Sequence, residues 1–375
     1  MFSITNTAIL QEVIEQSIIH DGIEREFILY IPSNYEDSGD EMPLVFNFHG
    51  FTSNANQQRQ YSAMDDVAET NNFIVCYPEG IGNAWNVGWN FGSTEDDIGF
   101  TEKMIDYIND NYNIDSRRIY SCGMSNGGFF SYRLACELSD KIAAIASVTG
   151  SFTTAMLSDC SPSRKIPVME VHGTNDAIVP YNGMEGTAIP IEDVVAFWLD
   201  HNTCNTAADT TAIANTNAFD GCTSERIEYL DCEEESEVVF VKITGGGHTW
   251  PGASIPLPGT SLDYNGSQLV WDFFNRHRLP AVLANNDIDH TTLSISPNPA
   301  NHTLQISGVD KINSLVIYDI TGHRTSLIYS DDNNDKVKVE GDDTYVNVGD
   351  LINGTYILKI TDHAGQTHLK KFIKI

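Results

Sequence analysis

Seven apolar runs of strand length punctuate the first three-quarters of the chain: REFILYIP (25–32), PLVFNFHG (43–50), FIVCYPEG (73–80), RIYSCGMS (118–125), IAAIASVTG (142–150), IPVMEVHG (166–173) and EVVFVKITG (237–245). They are rich in β-branched and aromatic residues and most stop at Gly or Pro, as strands do. Between several of them, residues 99–111, 127–138 and 191–201 repeat apolar side chains at helical spacing. Near-continuous apolar strands alternating with helices predict an α/β domain with a mostly parallel sheet flanked by helices on both faces. This first domain is assigned residues 1–283. After Leu279-Pro280 the texture changes: AVLANNDIDHTT contains a linker at 284–292, and LSISP, TLQIS, SLVIYDI, TYVNV, TYILKI and HLKKFIKI follow as short alternating runs. Residues 293–375 are therefore expected to form a small all-β sandwich.

Composition changes the picture mainly through charge. The 375 residues carry 52 Asp and Glu against 21 Lys and Arg, a formal net charge of −31. No cluster of basic residues stands out, so nucleic acid and anionic membrane surfaces, both held by cationic patches, are excluded as expected partners. No apolar run approaches the roughly 20 residues of a membrane helix, so no membrane span is expected. The opening MFSITNTAILQEV lacks the basic-then-apolar layout of a secretory leader. The seven cysteines nevertheless favour an exported protein whose leader preceded this numbering. Cys160, Cys204, Cys222 and Cys232 fall in polar loops and read as disulfide partners, whereas Cys76 and Cys122 fall in apolar runs and read as buried thiols.

Candidate chemistry centres on YSCGMSNGGFF. Ser125 lies between Gly123 and Gly127, after a strand and before a helix, the placement of a nucleophile elbow. A serine nucleophile needs a base, and the base needs a carboxylate that fixes its tautomer; on such a fold they follow in the order Ser, Asp or Glu, His. His248, in the glycine-rich loop TGGGHTWPG after the last apolar strand, is the expected base. His201 and His277 read as solvated surface residues, and His172 as a buried hydrogen-bonding residue at a strand end. Asp176 is the acid, the only carboxylate in the loop after VMEVHG. The oxyanion donors are expected from the backbone N–H groups of Phe51, after HG at the end of a strand, and of Asn126, after the nucleophile. Trp85, Trp89 and Trp250 are candidates for lining the site. The spacing offers no metal site and no phosphate loop, so neither metal nor cofactor is expected.

HGF (49–51), YPEG (77–80), GMSNGG (123–128), HGTNDAIVPY (172–181), AFW (196–198) and GGGHTWPG (245–252), in this order, resemble the polyhydroxybutyrate-depolymerase-like branch of the first carbohydrate esterase family, which includes feruloyl and acetyl xylan esterases. The resemblance implies an α/β-hydrolase fold, with Ser125, Asp176 and His248 as catalytic residues and Phe51 and Asn126 at the oxyanion hole. It further implies a serine esterase acting on plant cell-wall polysaccharide esters, releasing ferulate or acetate. A polyester such as poly(3-hydroxybutyrate) is the alternative substrate, and a catalytically decayed carbohydrate-binding surface protein is the alternative of another class. SPNPANHTLQI, SLVIYDITGH, LINGTYILKI and KKFIKI resemble the C-terminal sorting domain of type IX secretion cargo in Bacteroidetes. That likeness implies the type IX machinery as a partner and an extracellular or cell-surface location.

Overall fold

All seven expected strands form and lie side by side. The computed structural model describes residues 12–35, 39–280, 293–308, 312–319, 324–329, 337–340, 343–362 and 367–375. The described residues divide into two compact units, one before and one after residue 281. The linker expected at 284–292 lies outside the described residues.

In the first unit the strands are β1 (Glu12–His20), β2 (Ile23–Ile31), β3 (Met42–Phe48), β4 (Ile74–Pro78), β5 (Ile114–Met124), β6 (Ala144–Val148), β7 (Val168–Gly173), β8 (Asp209–Ala212), β9 (Thr223–Tyr229) and β10 (Val238–Thr244). They form one sheet in the order β1-β2-β4-β3-β5-β6-β7-β10-β9-β8. The inner six, β4 to β10, are parallel. Antiparallel hairpins, β1–β2 and β8–β9, extend the sheet at its two edges. Strand order reverses at β3: the chain steps to β4 on one side, then to β5 on the other. Such a reversal opens a crevice beyond the carboxyl ends of β3 and β5, where ligands of open α/β sheets bind.

The apolar runs are continuous because these strands are buried on both faces; every residue of β3, β4, β6 and β7 is buried. Side chains still alternate. Leu44, Phe46 and Phe48 of β3 enter one core, while Val45 joins Tyr120, Cys122 and Ala146 in the core on the other face. Among the described residues seven helices cover the faces: α1 (Ala55–Ser62), α2 (Met64–Asn71), α3 (Asp97–Asn111), α4 (Asn126–Glu137), α5 (Thr154–Asp159), α6 (Ile191–His201) and α7 (Gly266–Phe274). In α3 the Asp96 side chain caps the helix by accepting the Gly99 N–H, and Ile98, Thr101, Met104, Ile105 and Ile108 form its buried stripe. Helix α1 is not legible in the sequence, because ANQQRQYS has no apolar stripe. It is started by Asn54, whose Oδ1 accepts the Gln57 N–H at 2.9 Å.

Two disulfides form, Cys136–Cys160 and Cys204–Cys232. The second closes the base of the β8–β9 hairpin, beside the Asn205 N–H to Asp231 carbonyl bond of 2.7 Å. Cys222 corrects the expectation: it is a buried free thiol, as are Cys76 and Cys122. The partner of Cys160 is Cys136, at the end of α4, where an amphipathic helical context gave no sign of a bridge.

The second unit holds β11 (Ser294–Ser296), β12 (Thr303–Ser307), β13 (Ile312–Asp319), β14 (Arg324–Tyr329), β15 (Val337–Glu340), β16 (Asp343–Asn347), β17 (Gly354–Asp362) and β18 (Thr367–Lys374). They pair antiparallel in two four-stranded sheets, β11-β12-β16-β15 and β14-β13-β17-β18. Leu304, Ile306 and Val346 from one sheet share a core with Leu315, Ile317, Leu358, Ile360 and Phe372 from the other, which is the expected sandwich.

Candidate active site

The turn from β5 into α4 is built by what its glycines allow. A Cβ on Gly127 would lie 2.2 Å from the Phe48 carbonyl oxygen, and one on Gly123 would lie 2.5 Å from the Gly127 carbonyl, so β3, β5 and α4 meet where side chains do not fit. Ser125, between them, adopts φ 56° and ψ −122°, a conformation non-glycine residues seldom hold. It is fixed there by its N–H to the Val148 carbonyl (2.8 Å) and by the Phe129 N–H to its own carbonyl (3.0 Å). The side chain is half-buried beside the β3 loop; a Cβ on Gly50 would lie 3.9 Å from Ser125 Oγ.

A second glycine contact joins the loops after β7 and β10. Gly173 and Gly246 touch so closely that a Cβ on Gly173 would lie 2.2 Å from the Gly246 carbonyl oxygen. The Asn175 N–H donates to that same oxygen (2.8 Å), and the Gly245 N–H donates to Thr174 Oγ1 (3.0 Å). This crossing brings Asp176 to His248, whose Nδ1 lies 2.7 Å from Asp176 Oδ2. The other carboxylate oxygen accepts the N–H groups of Ile178 and Val179, each at 2.8 Å. With Nδ1–H donated to the carboxylate, the imidazole presents Nε2 as an acceptor. His248 and Ser125 share no hydrogen bond among the described residues, so the acid–base half of the expected triad is closed and its link to the hydroxyl is open in this structure.

Asn126 opens α4, so its N–H has no acceptor within the helix. Its side chain is locked, Oδ1 accepting the Trp85 N–H (2.6 Å) and Nδ2 donating to the Trp85 carbonyl (3.1 Å). The Phe51 N–H makes no hydrogen bond among the described residues, while its neighbours are tied down by the Ser53 N–H to Gly50 carbonyl and Thr52 N–H to Asn83 carbonyl bonds. Beneath this loop the His49 ring is fully buried, with Nδ1 on the Gly50 carbonyl (2.8 Å) and Nε2 accepting the Gly80 N–H (3.0 Å). Burial lowers its pKa to about 4 from an ordinary 6.5. The unfolded chain therefore binds the extra proton between those values, and the stability held in neutral His49 is complete above pH 6.5 and lost as the pH falls toward 4. Between pH 7 and 4.5 that loss is expected to be about 2–3 kcal/mol. Urea unfolding of the wild type and His49→Gln at both pH values checks it, because the amide variant should lose this share of the acid sensitivity.

The three tryptophans separate. Trp85 and Trp250 are each 1% exposed and correct the expectation that they line the site. Trp85 packs between Phe48 and Phe130 and donates Nε1–H to the His49 carbonyl, while Trp250 donates to Ser267 Oγ. A buried indole with its N–H satisfied braces a wall from behind. Trp89 is half-buried, gives Nε1–H to the Thr187 carbonyl (2.9 Å), and stacks on Phe91 at 5.0 Å. Phe91, 47% exposed, meets the edge of Phe51, 42% exposed, at 5.9 Å. A row of aromatic rings thus runs outward from the loop after β3. Sequence reasoning missed its two phenylalanines by looking only at tryptophan. The loop that carries the row is anchored by the buried Arg25–Asp97 pair (2.6 Å), with Asp97 also accepting the Asn86 N–H (2.7 Å).

His201 and His277 are half-buried rather than freely solvated: the first bonds the Arg164 carbonyl, and the second pairs with Glu237 at 2.5 Å. Among the described residues one group of three possible metal ligands occurs, His20, Asp21 and Asp96, at the β1–β2 turn and the cap of α3. Its His20 is already hydrogen-bonded to Asp96 at 3.0 Å.

Residues 26–176 match the family Esterase PHB depolymerase, and residues 294–375 match the Secretion system C-terminal sorting domain. The first match includes Ser125 and Asp176 and stops before His248. Among curated relatives, a bifunctional acetylxylan esterase/xylanase of Neocallimastix patriciarum is 27% identical over 72% of this chain and 36% of its own length. Feruloyl esterase B of Piromyces equi is 28% identical over 68% of this chain and 46% of its own. The chain thus spans between a third and a half of these two relatives. Feruloyl esterase D of Neurospora crassa is 25% identical, with 83% of its length covered. Among solved structures, an acetyl xylan esterase from Aspergillus awamori superposes with a TM-score of 0.52 at 16% identity, over 71% of this chain and 99% of that one, which shows the α/β-hydrolase fold.

Proposed function

We propose that this chain, which joins an Esterase PHB depolymerase match on an α/β-hydrolase fold to a secretion sorting domain, is an exported serine carboxylic-ester hydrolase. The observation that carries the reading is the 2.7 Å bond between His248 and Asp176, set at the same sheet edge as a strained Ser125. In this reading Nε2 of His248 takes the Ser125 proton as Oγ attacks the ester carbonyl, and the Phe51 and Asn126 N–H groups receive the oxyanion. The imidazolium returns the proton to the leaving alcohol. Water, activated by the same imidazole, then hydrolyses the acyl enzyme. Removal of the C-terminal domain is read as preventing export through the type IX machinery.

The substrate proposed is a hydroxycinnamate ester of plant cell-wall polysaccharide. The row Phe51, Phe91 and Trp89, with both phenylalanines exposed, supports a flat aromatic acyl group over acetate, which needs no such surface. Phe91→Ala is expected to lower kcat/KM for methyl ferulate about tenfold. It should leave p-nitrophenyl acetate hydrolysis unchanged; equal losses on both esters would count against the aromatic reading. A polyester such as poly(3-hydroxybutyrate) is the second reading, favoured by Ile178, 63% exposed two residues beyond Asp176. Methyl ferulate, acetylated xylan and polymer film assayed side by side decide between them.

A further inference from the structure

Behind Asp176 lies a second carboxylate–histidine pair that the mechanism above leaves unused. His172 ends β7 with its side chain wholly buried, Nδ1 lying 2.8 Å from Glu170 Oε1 and Nε2 lying 2.9 Å from the Val179 carbonyl. Glu170 is equally buried, and its other oxygen accepts the Tyr132 hydroxyl at 2.7 Å. A carbonyl only accepts, so Nε2 carries a proton; the pair is imidazolium and carboxylate when the one further proton between Nδ1 and Glu170 Oε1 sits on Nδ1, against a burial that raises the Glu170 carboxyl above its ordinary range. The same Nε2 lies 3.6 Å from Asp176 Oδ2, the oxygen that receives His248. Val179 joins the two histidines mechanically, since its N–H holds Asp176 Oδ1 while its carbonyl holds His172.

We propose that His172, held by Glu170, is a positioning residue that acts through Asp176: it fixes the 176–179 turn and places a positive charge beside the carboxylate that orients His248. The proposal rests on the reading of Ser125, Asp176 and His248 as the catalytic set. Buried charges run Glu170 negative, His172 positive, Asp176 negative, and then His248, which becomes positive in the reaction. Burial opposes the His172 imidazolium, but the bond and charge of Glu170 outweigh it and raise its pKa above the ordinary histidine value. The other titratable groups facing this cluster are few. Tyr132 comes from α4, and Tyr181, with its ring 6.3 Å from that of His172, bonds Glu192. Lys242, the β10 register neighbour of His172, lies over the Tyr181 ring and pairs with Glu192 at 3.5 Å.

Removing the His172 charge makes the surroundings of Asp176 and His248 more negative, so His248 takes up its inactivating proton at higher pH. His172→Gln is therefore expected to move the acid limb of the kcat/KM profile upward by about half a unit or more, with kcat falling more than KM rises. Glu170→Gln removes the group that keeps His172 protonated, so His172 becomes neutral and the limb should move in the same direction. A role in packing alone would lower stability and leave the limb in place. If either folded variant gives a limb superimposed on the wild type while Ser125→Ala is inactive, the proposal is overturned and the triad stands; an active Ser125→Ala would overturn the triad first. Should both variants fail to fold, ring-15N histidine spectra of the unaltered chain decide: His172 is expected to show two protonated nitrogens at pH 7.5, and one unprotonated nitrogen there would overturn the proposal.

Discussion

Ser125→Ala is expected to lower kcat for p-nitrophenyl acetate about a million-fold while leaving the melting temperature within a few degrees of the wild type. Nucleophile, base and acid act as a unit, so loss of the nucleophile alone removes nearly all that the three supply together. In the proposed mechanism the Phe51 and Asn126 N–H groups still polarise the carbonyl in this variant, which sets the small rate that remains. Stability is spared because the hydroxyl makes no hydrogen bond among the described residues, and the strained turn is held through the backbone bonds to Val148 and Phe129. A residual kcat within tenfold of the wild type, without a burst of p-nitrophenol in either protein, would sink the acyl-enzyme mechanism.

Asp176→Asn should cost about ten-thousand-fold in kcat, although the change is one atom. An amide has one oxygen for two tasks. With that oxygen turned to the Ile178 and Val179 N–H groups, as Oδ1 is now, the NH2 faces His248 Nδ1 and donates to it. The imidazole then carries its proton on Nε2, where it can no longer take one from Ser125. With the amide reversed, two backbone donors lose their acceptor inside the protein, at about 1–3 kcal/mol each. Steady-state kinetics at pH 8, paired with a melting curve, separates the outcomes; a rate within tenfold of wild type would remove Asp176 from its role.

The parallel core of the sheet was legible because strands buried on both faces must be apolar throughout, as PLVFNFHG and IAAIASVTG are. The edge hairpins were not. β8 reads DTTA with every residue exposed, and β1 alternates weakly, so neither carries a pattern that burial would impose. The meeting of Asp176 with His248 was legible from glycines and loop positions, since both side chains need tight turns to reach the carboxyl end of the sheet. The aromatic row was not, because Phe51 and Phe91 are forty positions apart and meet only where the strand order reverses. His172 is the buried strand-end hydrogen bonder that its place after VMEV suggests. Its link to Asp176 depends on a side chain 3.6 Å away in a loop whose path no local pattern gives. Cys136 was missed for a similar reason, since helical spacing records which face is buried and says nothing of a thiol's neighbour across the surface.

The Cys204–Cys232 clasp has one more consequence. β8 and β9 form a terminal hairpin on an open sheet edge, the kind of element that can peel away and be exchanged with a second copy of the chain. With its two ends covalently joined at the base, the hairpin detaches only as a closed loop, and a closed loop reaches a neighbouring molecule far less readily than two free arms do. Strand exchange between copies is thus disfavoured at this edge of the sheet, without any change near Ser125.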